Sequence, residues 1–204
     1  MYAELEIAEE ILLDAYKQNP GGWMAHSKMS ALVARIIAKN THGILNEHKA
    51  YSLGLLHDIG RIKGVTSMKH IIDGYEYMKD LGYDENARIC LTHSFPIKNI
   101  QAYTGKNDLD NNAFLFINDF LQNTEYDDYD KLIQLCDALC TSEGIVIIEK
   151  RLIDVAIRNG INELSVEKWK AFISLIDYFN SKYCIDVYSL LGLQDTVQIL
   201  NMNI

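Results

Sequence analysis

The stretch LLHDIGRIKG, residues 55–64, ends an apolar helical pattern in two adjacent polar residues, His57 and Asp58, with Gly60 two positions later. A helix that faces a core has no evident need to finish in an imidazole beside a carboxylate. Two explanations compete. One is a polar helix end whose imidazole meets the negative end of the helix dipole. The other is a metal site. The residues on either side decide between them.

Outward from this stretch the chain repeats one rhythm. Apolar residues recur at helical spacing over residues 3–18 (Leu5, Ala8, Ile11, Leu12, Ala15), and NPGG breaks the pattern. It resumes over 27–39 with Leu32, Val33, Ile36 and Ile37. Such periodicity predicts amphipathic helices, and further helices are expected over 47–59, 69–81, 85–92, 131–143, 145–158, 166–179 and 183–191. Pro20 and Pro96 fall where helices should end, as the missing N–H requires. The patch GIVII is strand-like alone, but its neighbours favour helix. Residues 97–129 are acidic and Asn-rich, with one amphipathic piece over 113–121. They read as a helical insertion or lid between core helices. The expectation is a single all-α domain over 1–204, with C-terminal helices over 145–192.

Composition narrows the function. No apolar run approaches the roughly 20 residues a membrane helix needs, and the acidic start MYAELEIAEE is unlike a secretory or transit leader. The expected location is the cytoplasm, with no membrane partner. Cys90, Cys136, Cys140 and Cys184 lie in apolar helical patterns without a CxxC pair. They are expected to be buried free thiols. A formal net charge of -9 argues against a nucleic-acid partner, which clustered Lys and Arg would have to hold. A phosphorylated small molecule fits only where local cations overcome that charge.

His42 and His48 sit in the polar stretch NTHGILNEHK and read as surface residues. The other histidines recur at helix-scale intervals: His26 opens the second helix, His57 ends the third, His70 begins the fourth and His93 ends the fifth. The run LIQLCDALC then sets Asp137 in the middle of an apolar helix. A lone carboxylate there is costly to bury unless something neutralises it. Each residue alone has a plain structural explanation. The ordered set H…HD…H…H…D needs several such explanations at once, which favours a metal site.

That ordered set resembles the HD-domain superfamily of metal-dependent phosphohydrolases, over about residues 20–145. The resemblance implies a helical bundle and assigns His26, His57, Asp58 and Asp137 to one metal. In members with two further histidines a second metal binds, which maps onto His70 and His93. The segment HIIDGYEYMKDLGYDENARICLTHS is particularly similar to a bacterial subgroup that hydrolyses diadenosine tetraphosphate symmetrically. The interval from His93 to Asp137 is longer here, and that from Asp58 to His70 shorter. The cyclic-dinucleotide branch carries a Lys soon after HDIG, where this chain has Arg61.

Imidazole and carboxylate ligands suit Fe, Mn, Co, Ni or Zn better than Ca or Mg. Six such ligands imply two divalent ions bridged by Asp58, the expected catalytic residue. Paired ions activate water for attack on phosphorus and clamp phosphate oxygens. Arg61, Lys63 and Lys98 stand near the motifs as expected substrate-binding cations, Arg61 first because a guanidinium grips phosphate through two hydrogen bonds. Each also reads as a solvated cation. Trp23, Phe95 and Tyr103 lie near ligand positions, where aromatics more often simply pack. The expected activity is hydrolysis of a nucleotide or related phosphoester or phosphoanhydride. Two alternatives stay open: a di-iron oxygenase with the same ligand pattern, and a non-catalytic nucleotide-sensing module.

Overall fold

Helix α3 (Glu47–Leu56) buries Ala50, Ser52, Leu53, Gly54, Leu55 and Leu56 in succession. A helical segment buried on nearly every face belongs inside the molecule, so other elements wrap the C-terminal half of α3, while His48 in its first turn is exposed. The computed structural model describes residues 1–201, and side chains as far as residue 197. In chain order α1 (Leu5–Gln18), α2 (Trp23–Lys39) and α3 are followed by a 3-10 turn over Ile59–Lys63. Then come α4 (Lys69–Asp80), α5 (Asp84–Thr92), α6 (Asn111–Asn123) and α7 (Asp128–Leu139). The chain closes with α8 (Ile148–Asn159), α9 (Ser165–Tyr183), α10 (Val187–Leu190) and α11 (Gln194–Asn201). No β-strand occurs among the described residues, so the fold is all-α as expected.

Two buried helices carry the centre. α3 gives Leu53 to the core shared with α2, α7 and α9, and Leu55 and Leu56 to the core shared with α1. α5 serves both through Ile89 and Cys90, and gives Leu91 to a third core with α4 and α6. His57 and His93 occupy the C-cap positions of these two helices. Asp130 on α7 is fully buried, yet Arg88 Nε reaches both its oxygens at 3.1 Å and Thr92 Oγ1 donates to it at 2.7 Å. Gln134 Nε2 donates to the carbonyls of Thr92 and Phe95 at 3.0 and 3.2 Å. This network ties the end of α5 to α7.

Several local expectations are corrected. α2 begins at Trp23, so His26 lies in its first turns and does not open it. α7 ends at Leu139, which puts Asp137 in its last turn and not in mid-helix. GIVII is not helical throughout: Ile145 forms an isolated bridge to Cys140, Val146 N–H donates to the Leu139 carbonyl at 2.8 Å, and α8 starts only at Ile148. Cys184 is exposed, because the chain turns left-handed there (φ 52°) after α9, whereas Cys90, Cys136 and Cys140 are buried free thiols. Within 97–129, α6 sinks Ile117 and Leu121 against Ile71, Leu91 and Phe95, so this helix is packed onto α4 and α5. His42 and His48 are exposed.

Glycines set the close approaches. A Cβ on Gly54 would lie 2.9 Å from Ala31 Cα, so α3 touches α2 backbone to backbone. A Cβ on Gly60 would overlap the His70 carbonyl oxygen and crowd Gly74 N at 2.5 Å. The turn after the HD pair thus rests directly on the start of α4. Gly60→Ala must push these backbones apart, and is expected to cost at least about 1–3 kcal/mol, the usual range for overpacking. Urea unfolding of the variant measures it, and an unchanged midpoint would refute the close contact.

Candidate metal centre

Each central imidazole divides its two nitrogens between scaffold and site. At a helix C-terminus the last carbonyls lack intrahelical partners. His57 Nδ1 lies 2.7 Å from the Gly54 carbonyl, and His93 Nδ1 lies 3.0 Å from that of Cys90. His70 Nδ1 meets the Ser67 carbonyl just before α4. A carbonyl only accepts, so each Nδ1 carries the proton and each Nε2 presents a lone pair.

Those lone pairs point at one another and at carboxylates. His57 Nε2 is 3.2 Å from His26 Nε2, and His70 Nε2 is 3.5 Å from His93 Nε2. Asp58 Oδ1 lies 3.2 Å from His70 Nε2 and 3.7 Å from His93 Nε2. Asp137 Oδ1 lies 2.9 Å from His26 Nε2 and 4.0 Å from His57 Nε2. Two groups have donor atoms mutually within 4.8 Å, His26–His57–Asp137 and His57–Asp58–His93. These groups take in five of the six residues expected as ligands, with His57 common to both, and His70 adjoins them through Asp58 and His93.

The electrostatics suit a cation. Burial pushes the His57 imidazole down, and burial with the His57 ring beside it pushes His93 to about 3, so both stay neutral. Burial alone would raise Asp58, but the Arg61 guanidinium holds it well below the usual carboxylate range. Asp137 is likewise held down against its burial, by His26 and then Arg151. Neutral Nε2 acceptors and charged carboxylates then face each other with too few protons to pair them. A divalent ion fits this donor set. His26 differs from the other imidazoles, since its buried Nδ1 has no hydrogen-bond partner.

The HD-domain family profile matches residues 23–142, more than half of the chain, and includes all six convergent residues. This chain belongs to the HD-domain family. HD domains bind divalent metals and are generally metal-dependent hydrolases. No curated protein and no solved structure matches the chain.

The HD centre opens into a cleft of about 830 Å³, bordered by Trp23, Arg61, Tyr103, Arg151 and Lys168. Arg61 spends Nε on Asp58 Oδ2 at 3.0 Å and Nη1 on the Thr66 carbonyl at 3.3 Å. It holds Oδ2 away from the histidines and leaves Oδ1 to them. Lys63 and Lys98 are exposed and do not border the cleft; Lys98 Nζ instead sits 5.5 Å from the Tyr126 ring centre. Phe95 is fully buried against α4 and α6. Four cations at the cleft, Lys150, Arg151, Arg158 and Lys168, were not singled out in the sequence. Arg151 Nη2 lies 3.5 Å from Asp137 Oδ1. Burial lowers the Lys168 ammonium to about 8, against the pull of Asp137. The signal for Arg151 was its place on a short helix after the turn that follows Asp137. Lys168, inside an apolar stripe, left none.

Metal binding is expected to stabilise the fold. At a free-ion concentration about a hundredfold above Kd the gain is about 2.7 kcal/mol, or a rise of about 5–10 °C in Tm for a chain of this size. Calorimetry of chelator-treated protein with added Mn²⁺ or Fe²⁺ measures this, and His57→Ala should abolish the rise. Arg61→Ala is expected to weaken metal affinity by about 10–100-fold, as loss of a ligand-orienting partner does, read by metal titration.

Proposed function

We propose that this chain is a metal-dependent phosphohydrolase for a nucleotide or related phosphoester or phosphoanhydride, with two divalent transition ions. The carrying observation is the gathering of three lone-pair-bearing Nε2 atoms, His26 and two charged carboxylates in two adjoining groups that share His57. His26, His57, Asp58 and Asp137 would hold one ion, and His70 and His93 the second, with Asp58 shared. Fe, Mn, Co, Ni and Zn match the donor chemistry. When bound, such ions supply an activated water and charge stabilisation for displacement at phosphorus.

The chain's own residues do the rest. The Gly54, Ser67 and Cys90 carbonyls fix the orientation of the imidazoles. Arg61 fixes that of Asp58 and presents a positive edge to the cleft. The apolar cores behind α3 and α5 keep water from the rear of the centre, so partial charges there act through a low dielectric. The similarity of residues 70–94 to symmetrical diadenosine tetraphosphate hydrolases puts dinucleoside polyphosphates first among substrates to try.

Metal-loaded protein is expected to release phosphate or nucleotide from a member of a phosphoester and phosphoanhydride panel, with equal rates in air and under anaerobic conditions. Asp58→Ala should reduce release to background while remaining folded by circular dichroism. Oxygen uptake coupled to substrate loss would overturn the reading in favour of oxygenase chemistry.

A further inference from the structure

The matched HD region ends at residue 142, but the cleft does not. Its far wall is built by α8 and α9, which contribute Lys150, Arg151, Arg158 and Lys168. The chain as a whole has 19 Lys and Arg against 28 Asp and Glu. Around the cleft the balance reverses, to five cations against four carboxylates. Two of those four carboxylates, Asp58 and Asp137, belong to the metal centre and face Arg61 and Arg151, which leaves Lys150, Arg158 and Lys168 against Glu143 and Asp154. An acidic protein that concentrates cations on one wall of one cleft has built an anion site there.

Lys168 is the informative member. Its side chain makes no ion pair and no hydrogen bond among the described residues, and its Nζ lies 5.8 Å from the ring centres of both Tyr103 and Phe172. An ammonium held among aromatic rings without a carboxylate is a costly arrangement, and the open side of this one is the cleft. Arg151 is the second. Its Nη2 contact with Asp137 is long, at 3.5 Å, and the same oxygen is already engaged by His26 at 2.9 Å. A cation at the centre takes over the charge of Asp137 and leaves the guanidinium available to an anion.

We infer that the α8–α9 wall, through Lys168 and Arg151, anchors the non-reacting phosphoryl groups of an oligophosphate chain whose other end lies at the metal centre. This deepens the proposed function: the substrate class is a phosphoanhydride with two or more linked phosphates, and not a simple monoester. A cleft of about 830 Å³ lies within the range of nucleotide-sized ligand sites. The wall acts by binding, so it needs no metal to be detected.

The test is isothermal titration of chelator-treated, metal-free protein with inorganic tripolyphosphate, and with orthophosphate for comparison. Wild type should bind tripolyphosphate more tightly than orthophosphate. Lys168→Met should weaken tripolyphosphate by about ten- to a hundredfold, the factor carried by one charge-assisted contact, and Arg151→Met by less, because in the metal-free protein its guanidinium stays on Asp137. Lys168→Arg should retain most of the binding. Lys168→Met removes a half-buried charge without removing its stem, and Lys168→Gln serves as a second variant should it fail to fold. Absence of tripolyphosphate binding, or binding indifferent to Lys168, would overturn the inference. Wild-type binding that depends on Lys168, with no phosphoester or phosphoanhydride hydrolysis once metal is restored, would sink the proposed function and leave the anchoring wall standing.

Discussion

The structure depends on a division of labour within single imidazole rings. Nδ1 of His57, His70 and His93 is committed to a backbone carbonyl, and Nε2 is thereby left without a proton and turned inward. The same bond that completes a helix end aims a metal donor. The two explanations for a histidine at a helix terminus are therefore not rivals, because they concern different atoms. Among the described residues no other buried cluster gathers so many candidate metal donors, and without a cation this one would be a heavy electrostatic cost at the heart of the fold.

The surrounding helices absorb that cost by rigidity. Glycines let α2, α3 and α4 approach through backbone contacts at Gly54 and Gly60, and the Arg88–Asp130–Thr92 network locks α5 to α7. Asp130 and Asp137 make an instructive contrast seven residues apart on one helix. Asp130 is fully buried and answered by a guanidinium, a hydroxyl and a backbone N–H. Asp137 meets His26 and a distant guanidinium at the edge of a cleft. A carboxylate satisfied from all sides is architecture; one left with capacity facing solvent-filled space has chemistry available to it.

Much of this was legible in the residues alone. Helical periodicity located most helices, because burial of one face is a local property of sequence. Their ends were less legible: α7 and α8 are separated by a turn in which Thr141 N–H and Val146 N–H bond across it, and the β-branched run GIVII carries no mark of where extended chain gives way to helix. Cys184 was misplaced for a similar reason, since a left-handed residue after a long helix turns a side chain outward against the apolar pattern. Nearness in sequence was a poor guide to the cations. Lys63 and Lys98 flank the motifs yet do not line the cleft, whereas Arg151 and Lys168 reach it from helices beyond them.

By itself the sequence determined an all-α chain and the identity and order of six ligand-type residues, because periodicity and residue chemistry are carried locally. Only the tertiary structure decided that these residues meet, which nitrogen of each ring faces inward, and which basic side chains share their cleft. Those outcomes depend on how closely helices pack and how the chain turns back after α7. Both are set by contacts between residues far apart in the chain, and no local pattern encodes them.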